Sequence, residues 1–170
     1  MPAADLALID DIRAASRQMV RELGFMEATL AATDYPPSAV HTILEIGARG
    51  PMTAVQLGEI LHLEKSSVSR MVRKLVECGE LRETSDAEDA RIKPLSLTPK
   101  GRRTLAALQD FGRRQVSGAL ARLTGIERQA VRDGLVIYAG ALRAGRDAET
   151  ELAEPMIQAP NASRGRNRYG

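Results

Sequence analysis

Apolar residues between positions 53 and 78 recur at helical spacing and fall into two short segments that meet at residues 62–64. In the second segment, residues 65–78, the apolar positions lie at i, i+3, i+4 and i+7, which predicts one buried stripe. The stripe consists of Val68, Met71, Val72 and Leu75. The other positions are mostly cationic or carry hydroxyl groups, with no acid between Lys65 and Val76. We therefore predict a helix-turn-helix whose second helix has the shape and charge to enter a major groove.

The residues after this helix predict a β-hairpin. Gly79 suits the left-handed residue that ends a helix, and residues 81–84 can then form a strand. Residues 85–91 form a polar turn, and residues 93–97 return as a strand, against which residues 51–52 predict a short third strand. Thr98 and Pro99 then begin a new helix, as its N-cap and its first-turn proline. A hairpin in this position is a wing, with Arg91 near its tip.

Amphipathic helices flank the winged helix-turn-helix, which spans residues 36–101. A long helix is predicted over residues 4–33, and Ser38 is expected to cap the next helix. After the wing, one helix runs from Pro99 to about residue 123, and Thr124 caps the following helix with Glu127 at the capping-box position. The fold class is therefore mainly α with a small antiparallel wing. We assign residues 1–147 to one domain and residues 148–170, which lack apolar periodicity, to a disordered tail.

Composition limits the possible functions. The 170 residues are 44% hydrophobic, carry a net charge of +2 and include a single cysteine, which suits a reducing cytoplasm. The chain has no run of about 18 apolar residues and no exported leader, so we expect no membrane association. His41 and His62 lie apart from Cys78, so no zinc spacing exists, and no phosphate-binding glycine loop or nucleophile motif appears. We expect neither an enzyme nor a cofactor or metal site.

Four segments of the chain resemble the MarR family of bacterial transcription regulators: residues 65–70, 75–79, 86–91 and 97–101, the last two being the most recognisable. The resemblance implies that Arg91 enters the minor groove and that Asp86 and Asp89 support the wing. This chain departs from many members at Glu88 and Ala90, where a further basic residue is common, so we expect a weaker grip by the wing. The family also interlocks its flanking helices between two subunits, which fits the apolar surplus of residues 4–33 and 99–147.

The predicted function is therefore ligand-responsive transcriptional repression by a homodimer on an inverted repeat of double-stranded DNA. A small effector, such as a phenolic or aromatic acid, is expected in a cleft between the flanking helices and the winged domain, where Met19, Met26, Tyr35 and His41 are candidate lining residues. The candidate DNA contacts are Lys65, Ser66, Ser67, Ser69, Arg70, Arg73, Lys74 and Arg91.

Several alternatives stay open at the sequence level. The charged face of the helix at residues 65–76 could simply be solvated, as most charged helix faces are. The flanking helices could form a monomeric bundle around the winged domain instead of a dimer. Cys78 could act as a redox sensor, although a helix C-terminus disfavours a thiolate, so we expect a partly buried small hydrophobe there. The chain could also be the winged part of a regulator fused to an acetyltransferase, or a purely architectural DNA-binding module.

Overall fold

The computed structural model describes residues 3–26, 29, 31, 33–84 and 93–153, in two compact units that divide the chain between Ser117 and Gly118. The fold is mostly helical with one two-stranded antiparallel sheet, as expected from the sequence. The helices are α1 (Ala3–Glu22), α2 (Pro37–Arg49), α3 (Ala54–Leu61), α4 (Lys65–Glu77), α5 (Pro99–Leu120) and α6 (Gly125–Ala153), and the strands are β1 (Leu81–Glu83) and β2 (Leu95–Leu97).

The core of the first unit joins α2, α3 and α4 to the two strands. Ile43 of α2 and Leu57 of α3 are fully buried, and the predicted stripe of α4 faces them through Val68, Val72 and Leu75. The buried hydroxyl group of Thr42 donates a hydrogen bond to the Ser38 carbonyl oxygen at 2.9 Å and lies 3.2 Å from the Met71 sulfur. The apolar back of α4 is therefore fixed on α2, which leaves its opposite side to solvent.

The wing begins and ends as predicted. Strand β1 pairs with β2 in the register Leu81 with Leu97 and Glu83 with Leu95, so both leucines of β2 are buried on one face. The expected third strand is a bridge in which Met52 and Leu95 exchange backbone hydrogen bonds of 3.2 and 2.8 Å. The turn of the wing at residues 85–92, with Asp86, Asp89 and Arg91, lies outside the described residues.

The first helix is shorter than the predicted span of residues 4–33. It ends at Glu22 because Gly24, with a φ of 79°, takes the left-handed conformation that stops a helix. The backbone N–H of Phe25 then donates to the Val20 carbonyl oxygen at 3.1 Å, and that of Gly24 to Arg21 at 3.0 Å, as in a Schellman motif. The predicted span of residues 4–33 is therefore wrong at its C-terminal end.

The predicted helix starts were correct in two of three places. Ser38 does not cap α2, because the helix begins one residue earlier at Pro37, whose fixed φ and missing N–H suit a first helical position. Thr98 caps α5 as expected, since its hydroxyl accepts from the Gly101 N–H at 3.0 Å. Thr124 and Glu127 form the predicted capping box, with hydrogen bonds of 2.8 and 3.3 Å.

The last helix continues beyond the expected start of the tail. Helix α6 runs through Ala153, whereas the tail was predicted from residue 148. Residues 154–170 lie outside the described part of the chain. None of the described helices is long and apolar enough to cross a membrane.

Candidate DNA-binding surface

The exposed side of α4 concentrates positive charge. Its side chains at Arg70, Arg73 and Lys74 are exposed, as is that of Lys65 in the first turn. None of these four cations forms an ion pair with a carboxylate among the described residues. Each exposed side chain can therefore contact a ligand from solvent. We name this surface the α4 cationic face; it comprises Lys65, Ser66, Ser67, Ser69, Arg70, Arg73 and Lys74.

The three serines of the α4 cationic face have different local roles. Ser69 donates its hydroxyl hydrogen to the Lys65 carbonyl oxygen at 2.9 Å, which leaves its oxygen able to accept. Ser67 is half-buried and accepts a hydrogen bond from the Arg70 guanidinium at 3.4 Å, whereas Ser66 is exposed. Ser66 and Ser69 are therefore the better placed of the three to meet a phosphate or a base edge.

Other basic residues near the wing hold the fold together. Lys93 pairs with Glu83 at 3.6 Å, and Lys100 donates to the Cys78 carbonyl oxygen at 2.7 Å. The guanidinium of Arg102 donates to the Leu97 carbonyl oxygen at 3.1 Å. These cations add to the positive potential, but their contacts direct them to backbone carbonyl groups or to an acid.

A buried carboxylate behind α4 has no signal in the sequence pattern. Glu80, which is 1% exposed, follows the left-handed Gly79 and accepts hydrogen bonds from the Tyr35 hydroxyl at 2.8 Å and from the Lys100 ammonium at 3.1 Å. Its backbone carbonyl accepts from the Thr98 N–H at 3.0 Å. Glu80 therefore ties the C-terminal end of α4 to the start of α5 and to the segment that precedes α2.

The charge of Glu80 is stabilised by its partners. Burial by itself raises the pKa of this carboxyl group, but hydrogen bonds, first from Tyr35 and then from Thr104 and Lys100, hold the pKa below its ordinary value of 4.5. Burial and the bond to Glu80 also raise the pKa of the Tyr35 hydroxyl group. At neutral pH the Tyr35 hydroxyl group therefore stays protonated and donates its hydrogen bond to a charged Glu80 carboxylate.

Removing the Tyr35 hydroxyl should destabilise the fold in a pH-dependent way. We expect Tyr35→Phe to lower the free energy of unfolding at pH 7 by about 1.5–3 kcal/mol, the usual value of a hydrogen bond to a charged group. Because the folded pKa of Glu80 is lowered, its stabilising effect is complete above about pH 4.5 and is lost as the pH falls through the lower folded value. Urea unfolding at several pH values should therefore show the two proteins converging in acid.

The control for this experiment is Ser117→Ala, which removes an exposed hydroxyl group from α5. It should change the free energy of unfolding by less than about 0.5 kcal/mol at every pH. Equal losses for the two variants, or a Tyr35→Phe deficit that persists unchanged in acid, would contradict the assigned role of Glu80.

An open cavity lies between the segment after α1, helix α2 and helix α5. Its volume is about 140 Å³, and it is open to solvent. The ring of His41, a predicted pocket residue, stacks on that of Phe25 with centroids 5.6 Å apart. The lining residues are Leu23, Phe25, Ala31, Val40, His41, Leu44, Leu108, Phe111, Gly112 and Gln115.

The other three predicted pocket residues do not line this cavity. Tyr35 directs its hydroxyl group to Glu80, and Met26 and Met19 are 74% and 41% exposed. Of the five aromatic residues in the chain, both phenylalanines contribute to the lining. His41 and Gln115 are its polar side chains, so the cavity is apolar with two hydrogen-bonding side chains.

Cys78 is exposed, whereas we expected it to be partly buried. It occupies the C-cap of α4, where its backbone rather than its thiol is held by neighbouring groups. Among the described residues, no group of three or more histidines, cysteines and acids is placed to hold a metal ion.

Comparison with known proteins gives one family match. The model of the MarR family matches residues 33–92, which extend from the segment before α2 to the wing. The winged segment belongs to the MarR family. Over this segment the chain resembles DNA-binding transcription regulators. No curated protein matches the sequence significantly.

Solved structures of MarR-type proteins share the fold. A probable transcriptional regulator from Pseudomonas aeruginosa is 26% identical, with a TM-score of 0.62 over 77% of this chain and 98% of that one. FabT of Streptococcus pneumoniae, solved in complex with DNA, is 22% identical, with a TM-score of 0.69 over 82% and 98%. Bordetella bronchiseptica BpsR, whose DNA binding is regulated by 6-hydroxynicotinic acid, is 17% identical, with a TM-score of 0.61 over 76% and 98%.

Proposed function

We propose that this protein is a MarR-type transcription regulator, a ligand-responsive repressor that binds an inverted-repeat operator as a homodimer in the cytoplasm. It acts by binding DNA rather than by catalysis. The observation that carries the proposal is the α4 cationic face, whose four cations are exposed and have no carboxylate partner among the described residues. Its buried back fixes this face to α2 and α3, so the side chains are presented by a rigid helix.

The α4 cationic face suits the major groove. Arg70 and Arg73 can each donate two parallel hydrogen bonds to a guanine, while Lys65, Lys74 and the two accessible serines suit phosphates. FabT, which shares the fold, was solved in complex with DNA, and this supports a DNA-binding role for the fold here. Arg91, in the segment that the structure does not describe, is proposed as a minor-groove contact and Asp86 and Asp89 as its support, on the family resemblance alone.

Exposed apolar stripes on α1 and α6 support the homodimer. On α6 the residues Val131, Leu135, Tyr138 and Leu142 follow a helical spacing and are 40–50% exposed. On α1, Leu6 and Ile9 are 53% and 39% exposed. Stripes of this kind are unusual on a monomer, because burying a leucine side chain contributes about 1.5–3 kcal/mol of stabilising free energy and an exposed leucine does not provide it. We propose that a second copy of the chain covers both stripes.

The cavity beside His41 is the proposed effector site. Its apolar walls with two polar side chains suit a small aromatic acid, whose ring would pack on Phe25 and Phe111 and whose polar group would meet His41 or Gln115. The fold relative BpsR responds to such a molecule, 6-hydroxynicotinic acid. A screen of small aromatic and phenolic acids for release of operator DNA tests this part of the proposal, and His41→Ala should abolish any response that the screen finds.

Single alanine substitutions should weaken operator binding. We expect Arg73→Ala or Arg70→Ala to lower the affinity for a selected operator by about 5- to 150-fold, because a bidentate contact to guanine contributes about 1–3 kcal/mol. Where the lost contact is to a phosphate, the slope of log K against log salt should flatten by roughly 0.9 per contact. Fluorescence anisotropy across a salt series measures both quantities.

The control is Arg114→Ala, which removes the same charge from an exposed position of α5. It should leave the affinity within twofold of the unaltered protein and the salt slope unchanged. If the double variant Arg70→Ala/Arg73→Ala binds the operator at full strength, the α4 cationic face does not contact DNA.

A further inference from the structure

An apolar groove runs between α3 and α4 at the edge of the α4 cationic face. Its walls are formed by Ala54, Val55 and Gly58 of α3, by Leu63 and by Val68 of α4, and Lys65 and Ser69 lie on its rim. We name it the α3–α4 groove. Val55 is 67% exposed although it is a large aliphatic residue beside a polar surface.

The groove is open because Gly58 has no side chain. A Cβ atom at this position would lie 3.4 Å from a Val68 methyl group and 3.3 Å from the Leu63 carbonyl oxygen. With glycine there, the Val68 methyl group forms part of the floor. The groove can therefore receive a small apolar group from outside.

The groove continues the proposed DNA interface, because two of its lining residues, Lys65 and Ser69, belong to the α4 cationic face. A duplex that contacts these two side chains also faces the start of α3. The major-groove edges of the bases carry hydrogen-bonding groups, together with one apolar group, the C5-methyl of thymine. Apolar walls cannot pair with the hydrogen-bonding groups, and the Glu59 carboxylate, which also lines the groove, disfavours a phosphate. The methyl group is the remaining candidate.

We propose that the α3–α4 groove binds the C5-methyl group of a thymine at one fixed position of each half-site, with Val55 as its main contact. The inference rests on the proposed function, since it requires that α4 lies in the major groove. It adds a specificity-determining surface on α3, outside the helix that carries the cationic residues.

Uracil lacks only the methyl group of thymine, so replacing thymine by uracil tests the contact directly. Each thymine of a selected operator is replaced in turn, symmetrically in both half-sites, and the affinity is measured by anisotropy. We expect one position at which the unaltered protein loses roughly fourfold per half-site, the value for one buried methyl group. Val55→Ala should bind the thymine operator more weakly and lose most of this discrimination against uracil.

Two further variants sharpen the test. Gly58→Ala should fill part of the groove and reduce the discrimination without unfolding the protein, which a thermal melt checks. Val116→Ala, at a valine that is 53% exposed on α5, is the matched control and should discriminate as the unaltered protein does. Discrimination of equal size in Val55→Ala and the unaltered protein overturns the inference.

The outcomes also separate this inference from the proposed function. Specific operator binding that tolerates uracil at every position overturns the α3–α4 groove inference alone. Absence of any sequence-specific binding, or full-strength binding by Arg70→Ala/Arg73→Ala, overturns both. Only a thymine position whose uracil penalty depends on Val55 supports the inference.

Discussion

Leu135→Lys is expected to dissociate the proposed dimer and to abolish specific operator binding, although every proposed DNA contact is retained. Leu135 lies in the middle of the α6 stripe and is 46% exposed in the single chain. Burying a leucine contributes about 1.5–3 kcal/mol, and a two-fold interface contains the substituted residue twice. Lysine also places two charges in an apolar interface, which adds a desolvation cost. We therefore expect the dimer dissociation constant to rise by at least about 100-fold.

Sedimentation velocity and operator binding measure the two consequences together. One recognition helix and one wing bury too little surface for tight specific binding, whereas two copies can reach the usual range of roughly 1,000–2,500 Å². The control Val136→Lys introduces the same charge at the adjacent position, which lies off the stripe and is 67% exposed. A Leu135→Lys protein that stays dimeric, or a monomer that binds a half-site tightly, would contradict the proposed role of α6.

Gly101→Ala should be strongly destabilising because the start of α5 packs directly on a backbone carbonyl group. A Cβ atom at Gly101 would overlap the carbonyl oxygen of Glu80, which the backbone cannot easily move away. The same junction contains the hydrogen bond from the Thr98 hydroxyl to the Gly79 carbonyl oxygen at 2.6 Å. Separating the two segments would break this bond, so we expect a loss of about 3 kcal/mol or more.

The melting temperature should fall by roughly 10 °C for Gly101→Ala, at 2–4 °C per kcal/mol for a chain of this size. Gly118→Ala in the same helix has open space for the new methyl group and should gain up to ~1 kcal/mol from helix propensity. Opposite shifts for the two glycines in calorimetry are the expected result. A Gly101→Ala protein that melts with the unaltered one would mean that this packing does not limit stability.

Hydrophobic periodicity predicted the parts of the fold in which local sequence and tertiary packing agree. The stripe of α4, the left-handed Gly79 and the capping residues Thr98 and Thr124 are all found as expected. The glycine and the two caps depend on contacts within a few residues of the chain, and the spacing of the stripe is visible within a single helix. The end of α1 was misplaced because a glycine inside an apolar pattern is compatible both with a weak helix and with a helix end, and periodicity does not distinguish the two.

The Glu80 network was unpredictable for a different reason. A single acid between Gly79 and Leu81 has no pattern that indicates burial, and its partners Tyr35 and Lys100 are distant in the sequence. Only the packing of three segments shows that the carboxylate oxygen Oε1 receives hydrogen bonds from Tyr35 and Lys100. The cavity beside His41 likewise depends on residues from three separate segments. Of the four pocket residues predicted from the sequence, His41 alone lines it. The candidate DNA contacts on α4 could be named in advance because a single helix carries them.

Selection of bound duplexes from random DNA, carried out in parallel for the unaltered protein and for Arg73→Ala, tests the central claim most directly. If two copies of α4 read an operator, the unaltered protein should enrich an inverted repeat with half-site centres roughly 10–10.5 base pairs apart. Arg73→Ala should lose information at one pair of symmetry-related positions and keep the rest. Enrichment of no sequence, or of identical sequences by both proteins, would contradict the account.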